Sequence, residues 1–113
     1  MTDQELLELA AKSAGLNVKA QSVNADDLWI GLIIGEKHTK EKKFWNPLTD
    51  DGDALRLAVK LTLGVVFNGE EACVWLFDIE SIEPVTNDDP YAATRRAIVR
   101  AAAEIGKNME VTE

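Results

Sequence analysis

Val65-Val66-Phe67-Asn68-Gly69-Glu70-Glu71-Ala72-Cys73-Val74-Trp75-Leu76-Phe77 is the stretch on which the reading of this chain turns. Asn-Gly is the dipeptide that best tolerates the positive φ required at both central residues of a type I′ turn. The β-branched and aromatic residues on either side suit pleated backbone. The stretch therefore predicts a hairpin with Asn68 and Gly69 at its tip. In that register Phe67 faces Glu70, Val66 faces Glu71 and Val65 faces Ala72. Alternation then puts Val65 and Phe67 on one face with Ala72, Val74 and Leu76, and Val66 on the other with Cys73, Trp75 and Phe77. Both faces are apolar away from the turn, so Trp75 is expected to be largely buried and Glu70 exposed.

Helices bracket the hairpin. Asp50-Asp51-Gly52-Asp53 opens one, with acids where the helix dipole favours them. Ala54, Leu57, Ala58 and Leu61 form its apolar stripe, Arg56 and Lys60 lie opposite, and Gly64 is read as its stop. After the hairpin, Asp78, Glu80, Glu83, Asp88 and Asp89 read as an acidic connection. Asp89-Pro90 then starts the last helix, with Asp as N-cap and proline at the first helical position. Tyr91, Thr94, Ile98, Ala101, Ala102 and Ile105 form a narrow seam, Gly106 is its expected stop, and 108–113 is expected to be a frayed tail.

Toward the N-terminus, Trp29-Ile30-Gly31-Leu32-Ile33-Ile34 is apolar on both alternating faces and predicts a central strand covered on both sides, with Gly31 marking a bulge or a close approach. Val18, Ala20 and Ser22 alternate with Lys19 and Gln21, a weaker edge strand. Thr2-Asp3-Gln4-Glu5 has capping-box spacing and opens a helix over 3–14, with Leu6, Leu9, Ala10 and Ala14 inward and Gly15 as its left-handed stop. Residues 36–43, with four lysines and His38, lack periodicity and read as an exposed basic loop. The order α-β-β-α-β-β-α predicts a single compact α+β domain over residues 1–113: a mostly antiparallel sheet of three to four strands covered by three helices, α-β-α sandwich-like.

Twelve basic residues against twenty acidic ones give a formal charge of −8. That balance argues against general nucleic-acid binding, which needs cations to displace phosphate counterions. It suits a soluble protein whose acidic surface engages a basic partner. One cysteine, Cys73, leaves no internal disulfide and no Cys/His metal pattern, as in a reducing cytoplasm. The acidic N-terminus lacks the features of a signal peptide. No apolar run approaches the roughly 20 residues of a membrane helix.

Little in the residues points to chemistry. His38 sits among flexible lysines with no nucleophile or orienting carboxylate beside it. Asp50, Asp51 and Asp53 lack the register of a calcium loop and are explained by helix capping. Cys73 falls mid-strand in an apolar setting and reads as core. No nucleophile elbow, Walker loop or glycine-rich phosphate cradle is present, so no catalytic residue, metal ligand or cofactor site is assigned. Two features stand apart. Phe44-Trp45 follows the basic loop, where an aromatic pair could stack a base or anchor a partner, or else place one ring in the core. Arg95, Arg96 and Arg100 make a basic stripe on the last helix, or a solvated face. The candidate binding set is therefore Lys37, Lys40, Lys42, Lys43, Phe44, Trp45, Arg96 and Arg100.

Two segments, Trp45-Asn46-Pro47-Leu48-Thr49-Asp50-Asp51-Gly52-Asp53-Ala54-Leu55-Arg56-Leu57-Ala58 and Ala92-Ala93-Thr94-Arg95-Arg96-Ala97-Ile98-Val99-Arg100-Ala101-Ala102-Ala103, resemble small phage and prophage proteins grouped under an α-β-α sandwich name. The resemblance covers about half of the chain, from Phe44 to Gly106, mostly through capping and packing residues. It implies a viral or prophage origin, a compact αβ domain and no transferable catalytic residues. The expected function is a non-enzymatic accessory protein acting on a host or phage protein in the bacterial cytoplasm. Direct nucleic-acid or nucleotide binding by the basic loop with Trp45 is the alternative, and a small-molecule enzyme built on His38 the weaker one.

Overall fold

A computed structural model of the chain describes residues 2–16, 18–22, 29–34 and 43–111, with side chains described for 2–16 and 45–109. Helix α1 (Asp3–Ser13), strands β1 (Val18–Ser22), β2 (Trp29–Ile34) and β3 (Lys43–Trp45), helix α2 (Asp51–Leu61), strands β4 (Gly64–Phe67), β5 (Glu71–Leu76) and β6 (Ile79–Pro84), and helix α3 (Pro90–Val111) follow in that order. The class is α+β, as the sequence predicts, but the strands divide into two three-stranded antiparallel sheets, β1-β2-β3 and β4-β5-β6. Two strands add to the expected order. β3 is formed where the chain leaves the basic segment. β6 is formed inside the acidic connection, because Ile79, Ser81 and Glu83 can share one face of a strand while Glu80 and Ile82 take the other.

The helix ends show how local chemistry sets the boundaries. Thr2 caps α1, its hydroxyl oxygen accepting from the Glu5 amide at 3.1 Å. At the other end Gly15 adopts φ +70, and the Gly15 and Leu16 amides donate to the Lys12 and Ala11 carbonyls. This is a Schellman closure, and Leu16 packs back on the core. α2 ends the same way, but on Thr62 at φ 56 rather than on Gly64; the Leu63 amide donates to Ala58. Gly64 is needed two residues later, at the start of β4. It lies opposite Trp75, whose ring crosses it so closely that a Cβ there would sit 2.5 Å from the ring.

In the β4-β5 hairpin the turn is shifted by one residue from the expected position. Asn68 opposes Glu71, with its amide donating to the Glu71 carbonyl, so Gly69 and Glu70 are the central pair. Only Gly69 takes positive φ there, at +97, as in turns with glycine first. The Asn68 side chain settles the shift, because its oxygen accepts from both the Glu70 and Glu71 amides. Phe67 therefore faces Ala72, Val66 faces Cys73 and Val65 faces Val74. A two-residue slip preserves the faces, so the expected division of side chains between them holds.

The face carrying Ala72, Val74 and Ser81 is buried under α3. The opposite face has no helix on it among the described residues. Trp75 is 41 % exposed there, contrary to the expectation of burial, and Cys73 is half-buried rather than core.

α3 is the centre of the molecule. It touches α1, α2, β5 and β6, and Ala97 through Val99 and Ala101 through Ala103 are all buried. The expected seam is thus a helix apolar nearly all round, with one polar strip of Arg96, Arg100 and Glu104. Gly106 does not stop it. The helix runs on to Val111, and the glycine is where α1 comes closest: a Cβ at Gly106 would lie 2.0 Å from the Leu9 carbonyl oxygen. Trp45, at the end of β3, enters the same core, and α1 also touches β1 and β2. In the β1-β2 pair the register shifts between Gln21 and Ser22, opposite Gly31, where the sequence places an irregularity.

These two glycines separate two kinds of cost. Gly106→Ala forces backbone apart and should destabilise by about 3 kcal/mol or more. Gly69→Val has open space around it and should cost only the backbone strain, about 1 kcal/mol. Urea unfolding monitored by circular dichroism will rank the two.

Candidate functional site

The segment from Trp45 to Asp53 fixes the geometry on which the site depends. Asn46 makes the turn out of β3: its carbonyl accepts from the Thr49 and Asp50 amides, and its side-chain oxygen accepts from the Leu48 amide at 3.1 Å. Asp50 is the N-cap of α2, accepting from the Asp53 amide at 2.8 Å. Asp53 is 4 % exposed and is held from two sides: one carboxylate oxygen accepts from the Asn46 amide at 3.0 Å and the other from Arg56 at 2.7 Å. The three aspartates thus act as caps and clamps. Among the described residues no group of three or more His, Cys, Asp and Glu could hold a metal ion.

Arg95 joins this turn to α3. Its Nε donates to the Leu48 carbonyl at 2.8 Å, and a guanidinium nitrogen pairs with Asp51 at 2.6 Å. Helix α3 begins just before, where Asp89 caps it by accepting from the Ala92 amide at 3.0 Å. The start of α3 is therefore fixed beside the start of α2.

Between these two helices and β4 lies an open groove of about 500 Å³. Ala54, Leu55 and Ala58 line it from α2, Tyr91, Thr94 and Ile98 from α3, and Val65 and Phe67 from β4. Leu55 is 64 % exposed and Tyr91 67 %. Val65 and Phe67 are on the helix-facing side of their sheet, yet both stay exposed because α3 covers β5 and β6 and not β4. Apart from the paired Asp51 and Arg95, the side chains of the lining offer two hydroxyls, that of Tyr91 and that of Thr94, which donates to the Pro90 carbonyl at 2.8 Å. Such a surface binds by burying apolar area and has little with which to orient a polar small molecule.

Of the residues singled out from the sequence, the structure describes the side chains of Trp45, Arg96 and Arg100, and these three serve separate internal contacts. Lys37, Lys40, Lys42 and His38 lie outside the described residues. Lys43 and Phe44 belong to β3, and their side chains are likewise outside the description. Trp45 is 4 % exposed, a core residue with no free face for stacking a base. Arg96 pairs with Asp3 at 3.2 Å and Arg100 with Glu83, so the arginine stripe ties α3 to α1 and to β6. The groove residues were missed, although a signal exists. Leu55 and Val59 are four apart on α2 and lie off the stripe of Ala54, Leu57 and Ala58. Two large apolar residues off the core stripe of a short helix need a second partner.

No protein family, curated protein or solved structure matches this chain. The groove and the elements around it therefore carry the functional reading.

The clamp at Asp53 supports one wall of the groove. Asp53→Ala removes the carboxylate that accepts from the part-buried Asn46 amide and from Arg56 and should destabilise by about 2 kcal/mol. Asp53→Asn, which keeps one acceptor oxygen, should lose roughly half as much. Chemical denaturation of the two variants beside the parent checks the order.

Proposed function

We propose that this protein acts by holding a segment of another protein in the groove between α2, β4 and α3, as a non-enzymatic accessory protein of a phage or prophage in the host cytoplasm. One observation carries the binding: Leu55, Val65, Phe67 and Tyr91, from three separate elements, are exposed around a single apolar groove. Clustered apolar exposure of this kind marks interaction surfaces, whereas single exposed apolar residues do not. The phage setting rests on the sequence resemblance alone, which extends over α2 and α3, the two helices that wall the groove. No helix among the described residues is long and apolar enough to cross a membrane, so the reading involves no helical span. Nucleic-acid binding by Trp45 and the arginines has no geometric support, with that ring buried and Arg95, Arg96 and Arg100 all paired.

A photo-crosslinking residue placed at Tyr91, with Glu104 on the exposed strip of α3 as the control position, tests the reading in bacterial cells. The Tyr91 probe should give a discrete crosslinked product that the Glu104 probe does not. That product should disappear when Leu55→Asp is added to the same chain. Identical products from both positions, or persistence of the product with Leu55→Asp, would show that the groove is not the binding site.

A further inference from the structure

The groove has a floor that can do more than supply apolar contact. Among the described residues β4 is an edge strand, paired only with β5. In an antiparallel ladder, residues alternate between those bonded to the neighbour and those whose amide and carbonyl point the other way. The Asn68 amide donates to the Glu71 carbonyl, which makes that pair a bonded one. Counting back, Val66 opposite Cys73 and Gly64 opposite Trp75 are bonded pairs as well. Val65 and Phe67 therefore turn their backbone groups to the open edge, and these are the two β4 residues whose side chains line the groove.

The two edges of this sheet are treated differently. β6, with sequence IESIEP, carries Glu80, Glu83 and Pro84, the charges and proline that discourage a further strand. β4 has the sequence GVVF, with no charge and no proline, and Val65, Val66 and Phe67 are all exposed. Edge strands left bare in this way template pairing with another chain.

The surroundings select the charge of what pairs there. From Phe44 onward the chain has six basic residues against thirteen acidic ones. Asp88 and Asp89 directly precede Pro90 and Tyr91, which line the groove. The Val85 amide donates to the Glu70 carbonyl at 2.9 Å, so the hairpin tip with Glu70 and Glu71 lies against the chain leading to those aspartates. The cation within the groove lining, Arg95, is already engaged by Asp51 and the Leu48 carbonyl. A second copy of this acidic chain would bring like charges together, whereas a basic segment would be drawn in.

We propose that β4 is a strand-addition edge: an extended, lysine- or arginine-flanked segment of a partner protein pairs antiparallel with Gly64–Phe67 and sends two apolar side chains, spaced i and i+2, into the groove. Partner residues opposite Val65 and Phe67 share their face, so those two enter between Leu55 and Tyr91 while the residue between them points to the Val66 side. Main-chain bonding supplies the register and the groove supplies the preference for apolar residues. This inference rests on the groove being the binding site.

The probe is a short peptide with two lysines at each end around an alternating threonine–isoleucine–threonine–valine–threonine core, titrated to millimolar concentration into the isotope-labelled full chain. Binding should shift the Leu55 and Tyr91 resonances and slow hydrogen exchange of the Val65 and Phe67 amides. Methylating the isoleucine and valine nitrogens should weaken binding by about tenfold or more, because those nitrogens face β4. Exchanging the lysines for glutamates should weaken it by about tenfold at low salt, and added salt should narrow the gap. If Leu55 and Tyr91 shift while the two amides stay unprotected and the methylated peptide binds equally, strand addition is wrong and the groove reading stands. Equal affinity for the lysine and glutamate peptides would overturn the basic partner. If no peptide moves any groove resonance, both readings fall. Protection of Val65 and Phe67 in the chain alone, with sedimentation as a dimer, would assign the edge to a second copy and overturn the proposal.

Discussion

Where α3 passes α1, the space that any side chain at Gly106 would need is already filled by the Leu9 carbonyl. The alanines at 97, 101, 102 and 103 continue the same close packing along the helix, and all are buried. α3 therefore lies deep, with α1, α2 and two strands of a sheet around it. Having three sets of neighbours to satisfy, it covers β5 and β6 and reaches no further across the sheet. The helical layer stops one strand short of the sheet edge. The groove follows from that shortfall, because α2 is tied to α3 and to the turn after Trp45 rather than to β4. A bulkier α3 would stand further from α1 and alter the depth of every other contact.

Much of this arrangement is legible in the residues. Helix starts are written in side chains that cap their own backbone, and Thr2, Asp50 and Asp89 all do what their positions imply. β1 and β2 run over the segments whose alternation and apolar content indicate them. The glycines are harder to read, because the same residue serves two purposes. Gly15 ends a helix by its positive φ, whereas Gly64 and Gly106 lie where Trp75 and Leu9 come too close for a side chain, which no local pattern reveals. β6 was hidden for a related reason: Glu80 on its open side and Glu83 on its inward side mask a strand whose remaining inward residues, Ile79 and Ser81, are few. As for the site, conspicuous charge and aromaticity drew attention to Trp45 and the arginines, and long-range contacts use all of them internally. Leu55 and Tyr91 look like ordinary helix residues until the described elements are seen to leave them uncovered.

The pinned walls of the groove have a kinetic meaning. Arg95 bonds at once to the Leu48 carbonyl and to Asp51, so the start of α2 and the start of α3 cannot separate without breaking both contacts, while Asp53 holds the turn itself by tying Asn46 to Arg56. Two of the three walls of the cleft are thereby held at a fixed spacing. On the proposed reading, an arriving chain meets walls already in place, and the ordering entropy of association falls mostly on that chain. Encounter is then governed by orientation and by the acidic field, without a slow opening step. Differences among competing ligands will accordingly appear in how long each one stays.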